Sequence, residues 1–200
     1  MQQFLFLELL DPEIHALLNG LKIEFGGKPT NTNIHITVRG PYQKPLPSKK
    51  IKYFERILRA APILIHSAGL FENNNEFTVF LKIESPHLRQ IWWKPDYPIE
   101  KYGFNPHISL FHSPDANLAT CVLNFLKKED IKLLCQDFHL TSYISKQQSL
   151  LLNESQPQRK HFLELANRRL VKADILQRAS NIVKNCEPII NREDNIEKHK

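Results

Sequence analysis

Apolar and polar positions change rhythm several times along the chain. Residues 4–9 form a short apolar run with weak alternation, the pattern of a buried strand. Asp11-Pro12-Glu13 then predicts a helix start, with Asp11 as N-cap and Pro12 at the first helical position. Ile14, Leu17, Leu18 and Leu21 follow at helical spacing, and Gly26-Gly27-Lys28-Pro29 reads as a loop. A strand is expected over 34–39 and is closed by Gly40-Pro41. Ser48 is placed to cap a second helix striped by Ile51, Phe54, Ile57 and Leu58, which Pro62 ends. Two strands follow, over 63–71 and 77–83, joined at Glu72-Asn73-Asn74-Asn75 in a hairpin. Ser85-Pro86 opens a third helix through Trp92, and the prolines of residues 94–98 mark a loop. A strand over 107–112, a helix from Ser113-Pro114-Asp115 to about Leu126, and a long strand or strand pair over 133–144 complete the pattern.

The order is β-α-β-α-β used twice, so residues 1–154 are expected to form two similar α+β lobes. From 155 onward the character changes: Gln156-Pro157-Gln158 reads as a connector, and a helical rhythm follows. Phe162, Leu163, Ala166, Leu170, Val171, Ile175, Leu176, Ala179, Ile182 and Val183 form one stripe, with Arg168, Arg169, Lys172, Arg178 and Lys184 mostly off it. An amphipathic helix of about six turns fits this stretch. It would pack on the lobes or support self-association through a second copy, with an RNA-binding basic face as the alternative. Bulky aromatics are almost absent from the stripe, which argues against a membrane-surface helix. The charged last ten residues are expected to fray.

Composition narrows the classes. The 200 residues are 42% hydrophobic and 24% charged, with a net charge of +6. This balance excludes a collagen, a coiled coil, a disordered chain and a disulfide scaffold. Cys121, Cys135 and Cys186 are odd in number and far apart, so reduced thiols and a cytoplasmic location are expected, without a disulfide or zinc site. No run approaches the ~20 apolar residues of a membrane span, and residues 1–8 read as a strand rather than a signal peptide. The mild positive charge suits an anionic ligand.

Two segments match each other. Asn33-Ile34-His35-Ile36-Thr37-Val38 and Asn105-Pro106-His107-Ile108-Ser109-Leu110 share Asn-x-His-Ile-[Thr/Ser]-aliphatic, with the histidines 72 residues apart. Side chains alternate along a strand, so His35 and Thr37 share one face, with Arg39 next along it. His107 and Ser109 do the same. Each strand then presents an imidazole and a hydroxyl roughly 7 Å apart. If the lobes pair about a pseudo-two-fold, the two imidazoles face each other across one groove. One can accept a proton while the other donates, and the hydroxyls can hold non-bridging phosphate oxygens.

These motifs resemble those of the 2H phosphoesterase superfamily, the 2′-5′ RNA ligase-like or cyclic phosphodiesterase family, which carries two H-x-[T/S]-x motifs. Arg39-Gly40-Pro41-Tyr42 and Tyr102-Gly103-Phe104-Asn105-Pro106 resemble the surroundings of the first and second motif. The resemblance covers residues 1–150 and leaves the C-terminal helix aside. It implies an α+β bilobal pseudo-two-fold fold, with two antiparallel sheets lining a central cleft and helices outside. It implies metal-independent hydrolysis of a cyclic or 2′-linked phosphodiester, with no cofactor, on RNA 3′ ends or small cyclic or oligonucleotides. His35 and His107 would be the acid–base pair, and Thr37 and Ser109 the phosphate binders. Ligation of 2′-5′ bonds, hydrolysis of cyclic-oligonucleotide immune signals, and nucleotide binding without catalysis are the alternatives.

Arg39 is a candidate for a second phosphate, and Tyr42 and Tyr102 for stacking on a base. One of Trp92 and Trp93 is expected in the core. His112, five residues after His107, is expected on the opposite strand face and so a poor partner for it. His66 and His139 fall on other strands, and no histidine pair has metal-ligand spacing. No phosphate-binding glycine loop is present.

Overall fold

The computed structural model describes residues 2–26, 34–42, 44–92, 103–145 and 174–186. In order along the chain lie β1 (Gln2–Leu9), α1 (Pro12–Glu24), β2 (His35–Tyr42), α2 (Ser48–Leu58), β3 (Ile63–Asn73) and β4 (Glu76–Glu84). They are followed by α3 (Leu88–Ile91), β5 (His107–Ser113), α4 (Ala116–Glu129), β6 (Lys132–Cys135), β7 (Phe138–Ser145) and α5 (Ile175–Cys186). The strands form two antiparallel sheets, ordered β2-β1-β7 and β5-β4-β3-β6.

Local chemistry explains most of these boundaries. Asp11 Oδ1 accepts from the amides of Glu13 and Ile14, both at 3.0 Å, and Asp115 Oδ1 accepts from Asn117 and Leu118 at 2.8 and 3.2 Å. Each carboxylate satisfies amides that the first helical turn leaves open. α2 differs from expectation: Ser48 is its first residue and Pro47 its cap, with no side-chain hydrogen bond there. The segment after β6 divides as one of the two expected outcomes, but β6 and β7 enter different sheets.

That division completes an exchange between the halves. β7 joins β1 and β2, while β3 joins β4 and β5, so each sheet takes a strand from the other half of the chain. Register shows how alike the two units are. Thr37 pairs with Phe6 and Arg39 with Leu5, which leaves Val38 as an extra residue in β2. Ser109 pairs with Phe80 and Phe111 with Val79, which leaves Leu110 as the extra residue in β5. Both motif strands thus carry a β-bulge directly after the motif hydroxyl. On the far side, Phe6 pairs with Thr141 and Phe80 with Gly69.

The inner faces of these strands build one continuous core. Leu5, Leu7, Leu9, Ile36 and Val38 come from the first sheet, and Ile63, Ile65, Val79, Leu81, Ile108 and Leu110 from the second. α4 packs on β3, β4 and β5, and α2 on β7. Edge strand β7 would otherwise present open backbone groups. Glu55 Oε1 accepts from the Leu140 amide at 3.1 Å, and Arg59 Nη2 donates to the Phe138 carbonyl at 3.1 Å. α1 packs on β5 and α5, and Phe25 at its end meets Phe111 and Phe125 edge-on.

α5 docks through the part of the C-terminal stripe that is described. Ile175, Leu176 and Ala179 are buried against α1 and α4. Leu176 rests on Gly20, where a Cβ would sit 3.0 Å from Leu176 Cδ1. Arg178 Nη2 donates to Glu129 Oε2 at 2.7 Å and also pairs with Asp174. The remainder of the expected helix, from Phe162 to Val171, lies outside the described residues.

The cysteines depart from expectation. Cys121 of α4 and Cys186 of α5 form a disulfide, with Cα atoms 6.6 Å apart, and Cys135 is free and buried. Sequence spacing alone could not show this, because the pairing exists only once α5 lies along α4. The expectation of three reduced thiols is corrected, and with it the ground on which a cytoplasmic location rested. Among the described residues, no helix is long and apolar enough to cross a membrane.

Candidate active site

β2 and β5 approach each other where the two sheets meet. Between them lies a cleft of about 240 Å³, walled by His35 and Thr37 from β2 and by His107 and Ser109 from β5. Ile34 and Ile108 line it as well. All four motif side chains are half-buried, while the alternating Ile36, Val38 and Leu110 are buried on the other face. The duplicated motif therefore brings two imidazoles and two hydroxyls to one concavity.

Each imidazole is held by an aromatic ring on the neighbouring strand. His35 stacks on Phe6, with centroids 4.0 Å apart and planes at 17°. His107 packs against Phe80 at 5.0 Å and Phe71 at 5.3 Å. Phe6 and Phe80 occupy matching register positions, opposite Thr37 and Ser109. The Phe80 ring reaches His107 by lying across Gly69, where a Cβ would fall 2.4 Å from the ring. Neither supporting phenylalanine is marked by the motif. The signal that could have found them is their register opposite the motif hydroxyls.

The tautomer of His107 follows from its partner. Nδ1 lies 2.7 Å from the Asn105 carbonyl oxygen. A carbonyl only accepts, so Nδ1 carries the hydrogen and Nε2 of the neutral ring keeps its lone pair. Burial lowers the His107 pKa from its ordinary 6.5, the Asn105 hydrogen bond opposes this, and nearby His112 lowers it further. At neutral pH this ring is therefore a neutral base with Nε2 available.

Two further side chains line the cleft that the motif did not nominate as site residues. One is His112. Beyond the bulge at Leu110 the alternation of β5 shifts by one, so Leu110 and Phe111 are both buried and His112 returns to the face of His107 and Ser109. The expectation that His112 points away is corrected. The adjacent apolar pair Leu110-Phe111, breaking an otherwise regular alternation, was the signal available in the sequence. The other is Lys22, delivered by the last turn of α1.

The matching bulge in β2 has the opposite effect on Arg39. Opposite Leu5, it faces the helices and is 5% exposed, with its guanidinium 5.4 Å from the Phe54 ring and 6.0 Å from the Tyr42 ring. Tyr42 is itself packed against the core. The structure does not bring Arg39 and Tyr42 to the cleft, so the phosphate and stacking roles expected of them there are corrected. Tyr102 and Trp93 lie outside the described residues, and Trp92 is buried.

A larger hollow of about 730 Å³ lies between α4 and α5, bordered by Phe125, Ile182 and the Arg178–Glu129 pair. It holds no imidazole and no hydroxyl beside one, so the chemistry favours the smaller cleft. His66 pairs with Glu84 and His139 with Glu8, both outside that cleft. Among the described residues, no three His, Cys, Asp or Glu side chains are grouped to hold a metal ion.

No family model and no curated protein matches this chain. Any functional reading therefore stands on the cleft itself and on the resemblance of its two motifs.

Proposed function

We propose that the chain is a phosphodiesterase of the 2H type, with that family's bilobal fold, acting on a cyclic or 2′-linked phosphodiester of RNA or a small nucleotide. The observation that carries this reading is the convergence of His35, Thr37, His107 and Ser109 on one cleft from strands of matching register. A single His-x-Thr on a strand would say little. Two copies, each followed by a bulge, each backed by a phenylalanine and both lining one cleft, support it.

His107 Nε2 takes a proton from water as the water oxygen attacks phosphorus. The bond from phosphorus to the leaving ribose oxygen breaks, and that oxygen takes a proton from His35. Thr37 and Ser109 donate hydrogen bonds to the non-bridging oxygens, whose charge must be held throughout. The product is a phosphomonoester, and one proton passes from His107 to His35 through solvent to restore the pair. Both proton transfers and the phosphate charge are assigned to side chains, so no step calls for a metal ion.

A product assay should show this directly. Incubated side by side with 2′,3′-cyclic nucleotides, 2′,5′-oligoadenylate and cyclic dinucleotides, the protein is expected to open at least one of them, with EDTA leaving the rate intact. Nucleotide binding without turnover across the whole panel would instead support a binding module. Loss of activity in EDTA, restored by a divalent ion, would overturn the metal-independent mechanism.

The pH profile follows from His107. It acts as base only when neutral, and burial holds its pKa below 6.5. The acidic limb of kcat/KM should therefore have its midpoint below 6.5, with activity retained until the pH falls through that lowered value. His112→Ala removes a group that lowers the His107 pKa, so the limb should move upward. A limb centred at or above 6.5 and unmoved by His112→Ala would exclude His107 as the base.

A further inference from the structure

The cleft is not symmetric. Five residues after the motif histidine, the first copy has Gly40 and the second has His112. The wall beyond Ser109 therefore carries an extra imidazole, while the wall beyond Thr37 carries none. His112 Nδ1 lies 3.0 Å from Thr78 Oγ1, and Thr78 is 5% exposed. That contact fixes the ring and leaves Nε2 for a ligand. Lys22 enters the same cleft from α1.

Charge makes the pairing informative. Among the described residues, Lys22 has no carboxylate within ion-pair distance, and burial lowers its pKa. His112 is lowered first by burial and also by Lys22, while Glu76 on β4 raises it. His107, on the same strand, is the other titratable neighbour. An ammonium and an imidazole that an anion would help to protonate thus line the same cleft, beside a site already furnished for one phosphate. An anion between them favours the charged form of both.

We propose that Lys22 and His112 form a second anion subsite, which takes a phosphomonoester carried by the substrate next to its scissile phosphodiester. This deepens the reading of the cleft as a phosphodiesterase site and rests on it. It narrows the substrates to nucleotides bearing a second, terminal phosphate. It also orients them, with the extra phosphate toward β5 and α1 and the phosphate-free side toward Gly40.

Calorimetric binding of adenosine 3′,5′-bisphosphate and adenosine 3′-monophosphate tests the subsite without requiring turnover. The wild-type protein is expected to bind the bisphosphate at least tenfold more tightly, more so at pH 5.5 than at pH 8, because a bound anion favours the imidazolium of His112. Lys22→Met and His112→Gln should each bring the ratio to within about threefold of unity, and Lys22→Arg should keep it. Thermal unfolding of each variant identifies any that fails to fold, and the other of Lys22→Met and His112→Gln then carries the comparison. Equal affinities in the wild type, or a ratio unchanged in both Lys22→Met and His112→Gln, would overturn the subsite. Preference for the bisphosphate together with no turnover of any cyclic phosphate would leave the subsite standing and remove the phosphodiesterase.

Discussion

His35→Ala and His107→Ala should each lower kcat by about 10² or more, the usual scale for loss of a general acid or base. The two losses should not add. In a relay where one ring takes a proton and the other gives one, either deletion stops the same step, so the double variant should resemble the slower single variant. The pH profile should divide between them: His107→Ala removes the acidic limb and His35→Ala the basic one. KM should change less than kcat, because Thr37 and Ser109 still hold the phosphate in either variant. Rate measurements on the two single variants and the double variant check all of this. Activity that survives the double substitution would end the two-histidine account, and a rise in KM with kcat unchanged would assign the rings to ground-state contact.

The second large effect concerns stability. Cys121 and Cys186 close a loop of 65 residues. On chain-entropy grounds such a link is worth at most about 4 kcal/mol, and native disulfides typically contribute about 2–4 kcal/mol. Cys186→Ser, or reduction by a dithiol, should therefore lower Tm by roughly 5–15 °C for a chain of this size. The effect should be concentrated in α5, whose remaining anchors are Ile175, Leu176, Ala179 and the Arg178–Glu129 pair. Amide exchange should show α5 opening first while β2 and β5 stay protected. Calorimetric scans with and without reductant measure the shift. An unchanged Tm would mean that the bridge contributes nothing to the folded state.

Much of the architecture was legible because hydrophobic rhythm and capping chemistry act locally. Asp11 with Pro12, and Asp115 with its two amides, start helices where their side chains can reach. The motif residues were legible for a related reason: an alternating strand places His35 with Thr37 and His107 with Ser109 on one face, and duplication supplies the pairing. What escaped was nonlocal. The bulges at Val38 and Leu110 move Arg39 out of the cleft and His112 into it, and a bulge is set by the partner strand's register. Lys22 reads as an ordinary last-turn lysine, with its charge suited to the helix dipole, until α1 is seen lying on β5. The exchange of β3 and β7 between sheets, and the joining of Cys121 to Cys186, depend on packing between segments far apart in the chain.

The central claim is that one phosphate lies between two imidazoles in one cleft. Histidine side-chain resonances, followed while a nucleoside 3′-monophosphate is titrated into the protein, test it most directly. His35 and His107 should shift together along a single one-to-one saturation curve, and Thr37→Val with Ser109→Ala should weaken that curve for both. Resonances that move on separate curves, or a nucleotide that binds while one of the two rings stays unmoved, would contradict the shared site.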